Sequence, residues 1–290
     1  MRSIGPLIAG STALLATAVP AMADGPYESF VSSATWQDNV TNAASGDGVL
    51  CDLSLKTGVD LSWIHSVDFS TLFSTTVSTA ADISTRYSGL DNVCVGPRFE
   101  LRHKFALGPL APSAYLGLEG LASGFDDPQR SNIAGAFVFG FQQRPADSLN
   151  FSLDGRLGSY DARDIVYTGD YASLESSLKW DVDDTWRLKL AVGWRDGDGV
   201  ADYAAIKTSV GWLPIDPDAY YEPGAWHYVS TFNQPFVAYK VSARTWSFGA
   251  GVSPALGNHT ALSLSYTRFD SQATRRYSDD VASISVVHHF

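Results

Sequence analysis

Trp186-Arg187-Leu188-Lys189-Leu190-Ala191-Val192-Gly193-Trp194-Arg195 alternates without a break. Trp186, Leu188, Leu190, Val192 and Trp194 share one parity, and Arg187, Lys189 and Arg195 hold the other. A helix would spread these charges round its circumference, so a period of two fixes a strand with one apolar face. The same reading extends outward along the chain. Leu53, Leu55, Val59, Leu61 and Trp63 oppose Asp52, Ser54, Lys56, Asp60 and Ser62. Phe73, Val77 and Ile83 oppose Ser70, Ser74, Ser78, Asp82 and Ser84, and Val93, Val95, Phe99, Leu101 and Phe105 oppose Arg98, Glu100, Arg102 and Lys104. Soluble strands average about five or six residues, whereas about 9–11 are needed to cross a membrane. These segments are of the second kind.

Turn signals divide the chain into twelve strands: 26–38, 48–63, 68–86, 92–107, 110–122, 131–143, 148–158, 168–181, 184–196, 236–253, 258–270 and 279–290. Tight connections alternate with longer ones rich in Asp and Gly, the longest being 197–235. An even strand number with alternating short turns and long loops predicts an all-β fold, an antiparallel transmembrane up-and-down β-barrel of about 12 strands. Aromatic residues fall at both strand ends: Trp63, Phe105, Trp180, Trp186 and Phe290 beside short turns, and Trp36, Tyr87, Trp194 and Tyr266 towards the long loops. Two girdles are what two bilayer interfaces require.

The N-terminus reads as an address. Arg2 precedes an uncharged apolar run, residues 7–19, and Ala21-Met22-Ala23 has the small-x-small pattern of a cleavage site. Residues 1–23 are therefore expected to be a signal peptide, and 24–290 a single barrel domain carrying a long external segment at 197–235. With 45% apolar residues the chain is too apolar for disorder, and two cysteines are too few for a disulfide scaffold. A net charge of −11 excludes nucleic acid as a partner. Cys51 lies on the outward parity and Cys94 on the inward parity of strands with another between them, so two free thiols are expected.

The chain ends Val281-Ala282-Ser283-Ile284-Ser285-Val286-Val287-His288-His289-Phe290. An alternating last strand closed by Phe290 resembles the insertion signal of Gram-negative outer-membrane barrels. The resemblance implies the barrel-insertion machinery as a partner, the bacterial outer membrane as location, and both termini in the periplasm. Outer-membrane lipid and lipopolysaccharide are the other expected partners. Asp126, Asp127, Asp196, Asp198, Asp279 and Asp280 read as solvated loop carboxylates of the kind that takes Ca²⁺ or Mg²⁺.

Function rests on the inward parity. On strands four to nine it carries Arg98, Arg102, Lys104, Arg156, Lys179, Arg187, Lys189 and Arg195 against Glu100, Glu119, Asp154 and Glu175. Elsewhere it is small, as at Ser70, Ser74, Ser247, Gly249, Ser283 and Ser285. Small residues leave space and the long charged ones line it, so the reading is a narrow porin for small solutes, anions favoured. A twelve-strand barrel with a basic lumen also resembles the monomeric twelve-strand porins for acidic sugars, by strand count and lumen charge alone. The alternative is a non-transporting barrel plugged by charge pairs, such as Glu175 with Lys179 or Asp154 with Arg156, that displays 197–235 as an interaction loop. An outer-membrane hydrolase ranks last. His227 is the histidine on the long-loop side, and no Ser/His/Asp spacing attaches to it. No catalytic residue, metal ligand or cofactor is assigned, and the sequence sets no oligomeric state.

Overall fold

The computed structural model describes residues 26–44, 48–208, 211–214, 226–229, 231–233, 235–257, 259–273 and 275–290. The expected signal peptide lies outside them. The barrel strands are β1 (Tyr27–Gln37), β2 (Asp52–Ser66), β3 (Thr71–Ser84), β4 (Asn92–Lys104), β5 (Ser113–Phe125), β6 (Asn132–Ala146), β7 (Leu149–Ala162), β8 (Gly169–Asp181), β9 (Trp186–Thr208), β12 (Phe236–Pro254), β13 (Thr260–Gln272) and β14 (Arg276–His289). Two four-residue strands, β10 (Gly211–Pro214) and β11 (Trp226–Val229), attach to β9 and β12.

Each barrel strand pairs antiparallel with its neighbours, β9 with β12, and β14 returns to β1 from Ser29↔His289 to Gln37↔Val281. Twelve strands close the barrel and leave no edge. Closure satisfies the backbone inside hydrocarbon, where no water is at hand to do so.

The parity read from the sequence is the parity observed. Leu55, Val95, Leu118, Leu190 and Val192 are exposed on the outside, while Ser54, Ser152, Ser177 and Ser247 are buried inside. Outward-facing Trp63, Trp180 and Trp186 stand at the short-turn end, and Trp36, Trp246 and Tyr266 at the long-loop end, whereas Tyr87, expected in that second girdle, packs edge-on against Phe232 in the mouth at 5.4 Å. Cys51 and Cys94 are free. Phe290 N–H donates to Glu28 O at 3.1 Å, and its ring meets His288 edge-on at 4.7 Å. The last residue thereby ties β14 to β1.

One boundary differs. A loop is expected from residue 197, but β9 runs on to Thr208 and stays paired with β12 from Pro254↔Trp186 to Phe236↔Ala204. The wall thus continues past its neighbours as a two-stranded extension.

Candidate pore lining and the covered mouth

Inside the barrel, β4 and β5 place Arg98 between two carboxylates, Glu119 at 2.6 Å and Glu100 at 2.7 Å. Arg102 takes the other oxygen of Glu100 at 2.7 Å and donates to Gln142 at 2.6 Å. Arg156 reaches Glu119 from β7 at 3.2 Å, and Lys189 reaches Glu175 at 3.2 Å. Asp154 accepts from Tyr115 Oη at 2.5 Å and from Ser152 at 2.9 Å. Arg187 binds Asp181, a fifth inward acid on this wall, at the end of β8 beside the turn. Arg195 stacks over the Tyr171 ring at 4.7 Å and donates to Asp198 O at 3.1 Å. Lys104 follows Arg102 on β4 with the same inward parity, and Lys179 on β8 pairs in register with Lys189.

Two glycines keep its aromatic rings flat. A Cβ on Gly140 would lie 2.4 Å from the Tyr115 ring, and one on Gly158 would lie 2.7 Å from Tyr171. Tyr115 therefore rests against β6, with Arg102 over its face at 4.9 Å. The opposite wall has many small hydroxyl residues that bond to each other, Thr35 with Ser283 at 3.2 Å, Ser62 with Thr76 at 2.9 Å and Ser253 with Ser263 at 3.1 Å, and it also carries Lys56 beside Asp82 in register, with Asp52 and Asp60 on the same parity. The charged wall remains wet. Side chains of Arg98, Arg102 and Lys189 are 23%, 29% and 37% exposed although they point inward.

The long-loop end is different. Three successive loops each make one 3₁₀ turn, Ser88–Leu90, Pro128–Arg130 and Ile165–Tyr167, and each buries its last residue completely. Asp127 and Asp164 cap the second and third turns by accepting from Gln129 N and Val166 N. Leu90, Val166 and Tyr167 join Val40, Tyr160, Val200, Val229, Phe232, Phe236 and Ala238 in one apolar cluster. Ala201, Tyr203, Val237, Tyr239 and Val241, of the other parity on the β9–β12 extension, pack with Ala43 in a second. Among the described residues, the extension thus packs an apolar cluster on each face.

A buried ion cluster sits at the first of these clusters. Arg130 is fully buried, with Asp127 and Asp202 each at 3.5 Å and the Tyr167 and Phe232 rings at 4.7 and 5.6 Å. Asp202 lies on β9 beyond the aromatic belt. Burial pushes its carboxyl up, to about 6, with Arg130 pulling it back. Burial likewise pushes the Tyr167 hydroxyl up. Five of the six carboxylates expected in solvated loops are placed otherwise: Asp127 belongs to this cluster, Asp279 is buried on β14, accepting from Gln37 at 2.5 Å and Asn39 N at 3.2 Å, and Asp196 and Asp198 on β9 and Asp280 on β14 bridge to Arg244, Lys240 and Arg268. The loops fold into the mouth because their apolar residues, single ones from several loops, gain burial only together. The repeated Asn after the turn was a visible signal. Asn92 donates to Leu90 O and Asn132 to Arg130 O, at 3.2 and 2.9 Å.

No family model and no curated protein matches the chain. Among solved structures, an outer-membrane channel from Pseudomonas putida F1 aligns over 94% of this chain and 100% of its own, with a TM-score of 0.60 and 11% identity. The NanC porin aligns over 89% of this chain and 98% of its own at TM-score 0.49 and 8% identity. The KdgM porin aligns over 90% and 99% at TM-score 0.45 and 10% identity. The closed twelve-strand barrel with its apolar outer belt is thus the fold of a bacterial outer-membrane β-barrel.

Proposed function

We propose that this barrel is a narrow diffusion channel for small hydrophilic solutes, anions favoured at low salt, with its short turns and both chain ends on the periplasmic side. The observation that carries the reading is the exposure of the inward charges. A plug sealed by ion pairs would bury them, whereas Arg102 and Lys189 keep 29% and 37% of their side-chain surface. Bases outnumber acids on the β4–β9 wall, and the wall opposite adds hydroxyls together with Lys56, Asp52, Asp60 and Asp82 on the inward parity of β2 and β3. A field from such a wall is focused by the low-dielectric barrel, while acidic groups outside sit in bulk solvent.

Reversal potentials across a salt gradient test this. Anion preference should appear at low salt and shrink as the screening length falls from about 10 Å at 0.1 M to about 3 Å at 1 M. Replacing Arg98, Arg102 and Arg187 together by Gln should lower or reverse it. Cation selectivity in the parent protein would overturn the basic-wall argument.

A further inference from the structure

The β9–β12 extension does more than lengthen the wall. Asp202 N–H donates to Thr41 O at 2.7 Å, Asn42 Nδ2 donates to Val200 O at 2.8 Å, and Ala44 N–H donates to Tyr203 Oη at 3.0 Å. Thr41, Asn42 and Ala44 belong to the β1–β2 connection, which rises from strands three to five places round the barrel from β12 and β9. Arg130 meets the extension from the β5–β6 connection, on the other side. The extension therefore lies across the opening. β11 and residues 231–233 are held to further loops: His227 Nδ1 lies 3.2 Å from Asp164, Thr231 Oγ1 donates to Asp127 at 2.6 Å, and Asn233 Nδ2 donates to Arg86 O at 2.8 Å.

This cover is not built as a permanent seal. Permanent cores are apolar, and an ion pair held in one brings little net stability compared with apolar residues of the same volume. The Arg130 contacts to Asp127 and Asp202 are 3.5 Å, long for charge-assisted bonds. Arg130 Nε and Nη1, Tyr167 Oη and Asp202 Oδ1 are buried there with no hydrogen-bond partner among the described residues. Each of these atoms would gain water on opening. At the base of the extension Gly197 has φ +149°, and a Cβ there would lie 2.3 Å from Asp170 O. Gly199 follows two residues on, so β9 carries two permissive positions where the extension leaves the barrel.

We propose that the β9–β12 extension with β11 is a lid over the channel, latched shut by Arg130 on Asp202 and Asp127, and that release of this latch sets how often the barrel conducts. The proposal rests on the channel reading above. The charged wall then selects among solutes, and the lid admits them.

Single-channel recording of the refolded full-length protein in planar bilayers is the test. The wild type should be mostly closed with brief openings. Arg130→Met should raise the open fraction about tenfold or more, since an equilibrium responds exponentially to the loss of a latch. Asp202→Asn, which removes charge at constant volume, is the second unlatching variant. A pair of cysteines at Ala43 and Ala201, which share the second apolar cluster, should silence the channel until reductant is added. This pair is introduced with Cys51→Ser and Cys94→Ser. Replacing residues 199–241 by a short Gly-Ser turn should leave the barrel open throughout, with folding checked by heat-modifiable gel migration. Equal open fractions in the wild type, both unlatching variants and the lidless barrel would overturn the lid and leave the channel standing. A folded lidless barrel that never conducts would overturn the channel reading, and the lid with it.

Discussion

Arg98 and Arg130 are the same side chain in two media. Arg98 stands in the wall of the barrel, 23% exposed, with carboxylates at 2.6 and 2.7 Å on either side. Arg130 lies under the lid, fully buried, with carboxylates no closer than 3.5 Å and two aromatic rings for company. In the wall, water can replace a lost partner, so a charge there contributes field more than stability. In the mouth, water is excluded and each charge depends on the other. On the proposed reading, the same chemistry serves selection in one place and closure in the other.

That contrast is most exposed to test at Arg130. Arg130→Ala would leave Asp127 and Asp202 without their cation in a dry cluster, with an expected cost of about 3–5 kcal/mol in urea titration of the refolded barrel. Arg98→Gln should cost no more than about 1 kcal/mol in the same titration, because a partly hydrated pair is worth little. Equal losses at the two sites would erase the distinction between wet wall and dry mouth.

Between these extremes lie two probes of the wall itself. Leu190 faces lipid and Lys189 faces the lumen, so Leu190→Arg should cost about 2–4 kcal/mol near the bilayer midplane. Lys189→Glu should cost less, and the reverse order would shift the register by one residue. Gly140→Ala should cost about 1–3 kcal/mol by overpacking, since the new Cβ would strike the Tyr115 ring. With Tyr115 pushed off the wall, single-channel conductance should also fall. Unchanged conductance would mean that the Tyr115–Arg102 stack lies away from the narrowest point.

Much of this barrel is legible in one dimension. Membrane and lumen impose opposite demands on alternate residues, so Leu188, Leu190 and Val192 against Arg187 and Lys189 declare both the strand and its facing. Long and short connections then set the strand count, and inward charges are visible because nothing else explains a base every second residue. The partners of those charges were less visible. Arg156 joins Glu119 across two strands, and Asp181, at the end of its strand, is hidden among turn residues in the sequence.

The mouth was not legible, for a reason of the same kind. Phe236-Val237-Ala238-Tyr239 and Val200-Ala201 are apolar on both parities because the β9–β12 extension packs a cluster on each face, which removes the alternation that reveals a strand's surroundings. Leu90, Arg130 and Tyr167 are single residues in separate loops, and no local period marks them. The sequence by itself determined what one chain segment owes to its immediate medium: strand, facing, belt and charged wall. Only the tertiary structure decided which distant loops meet over the opening, because burial there is created by the loops' own convergence and exists in none of them alone.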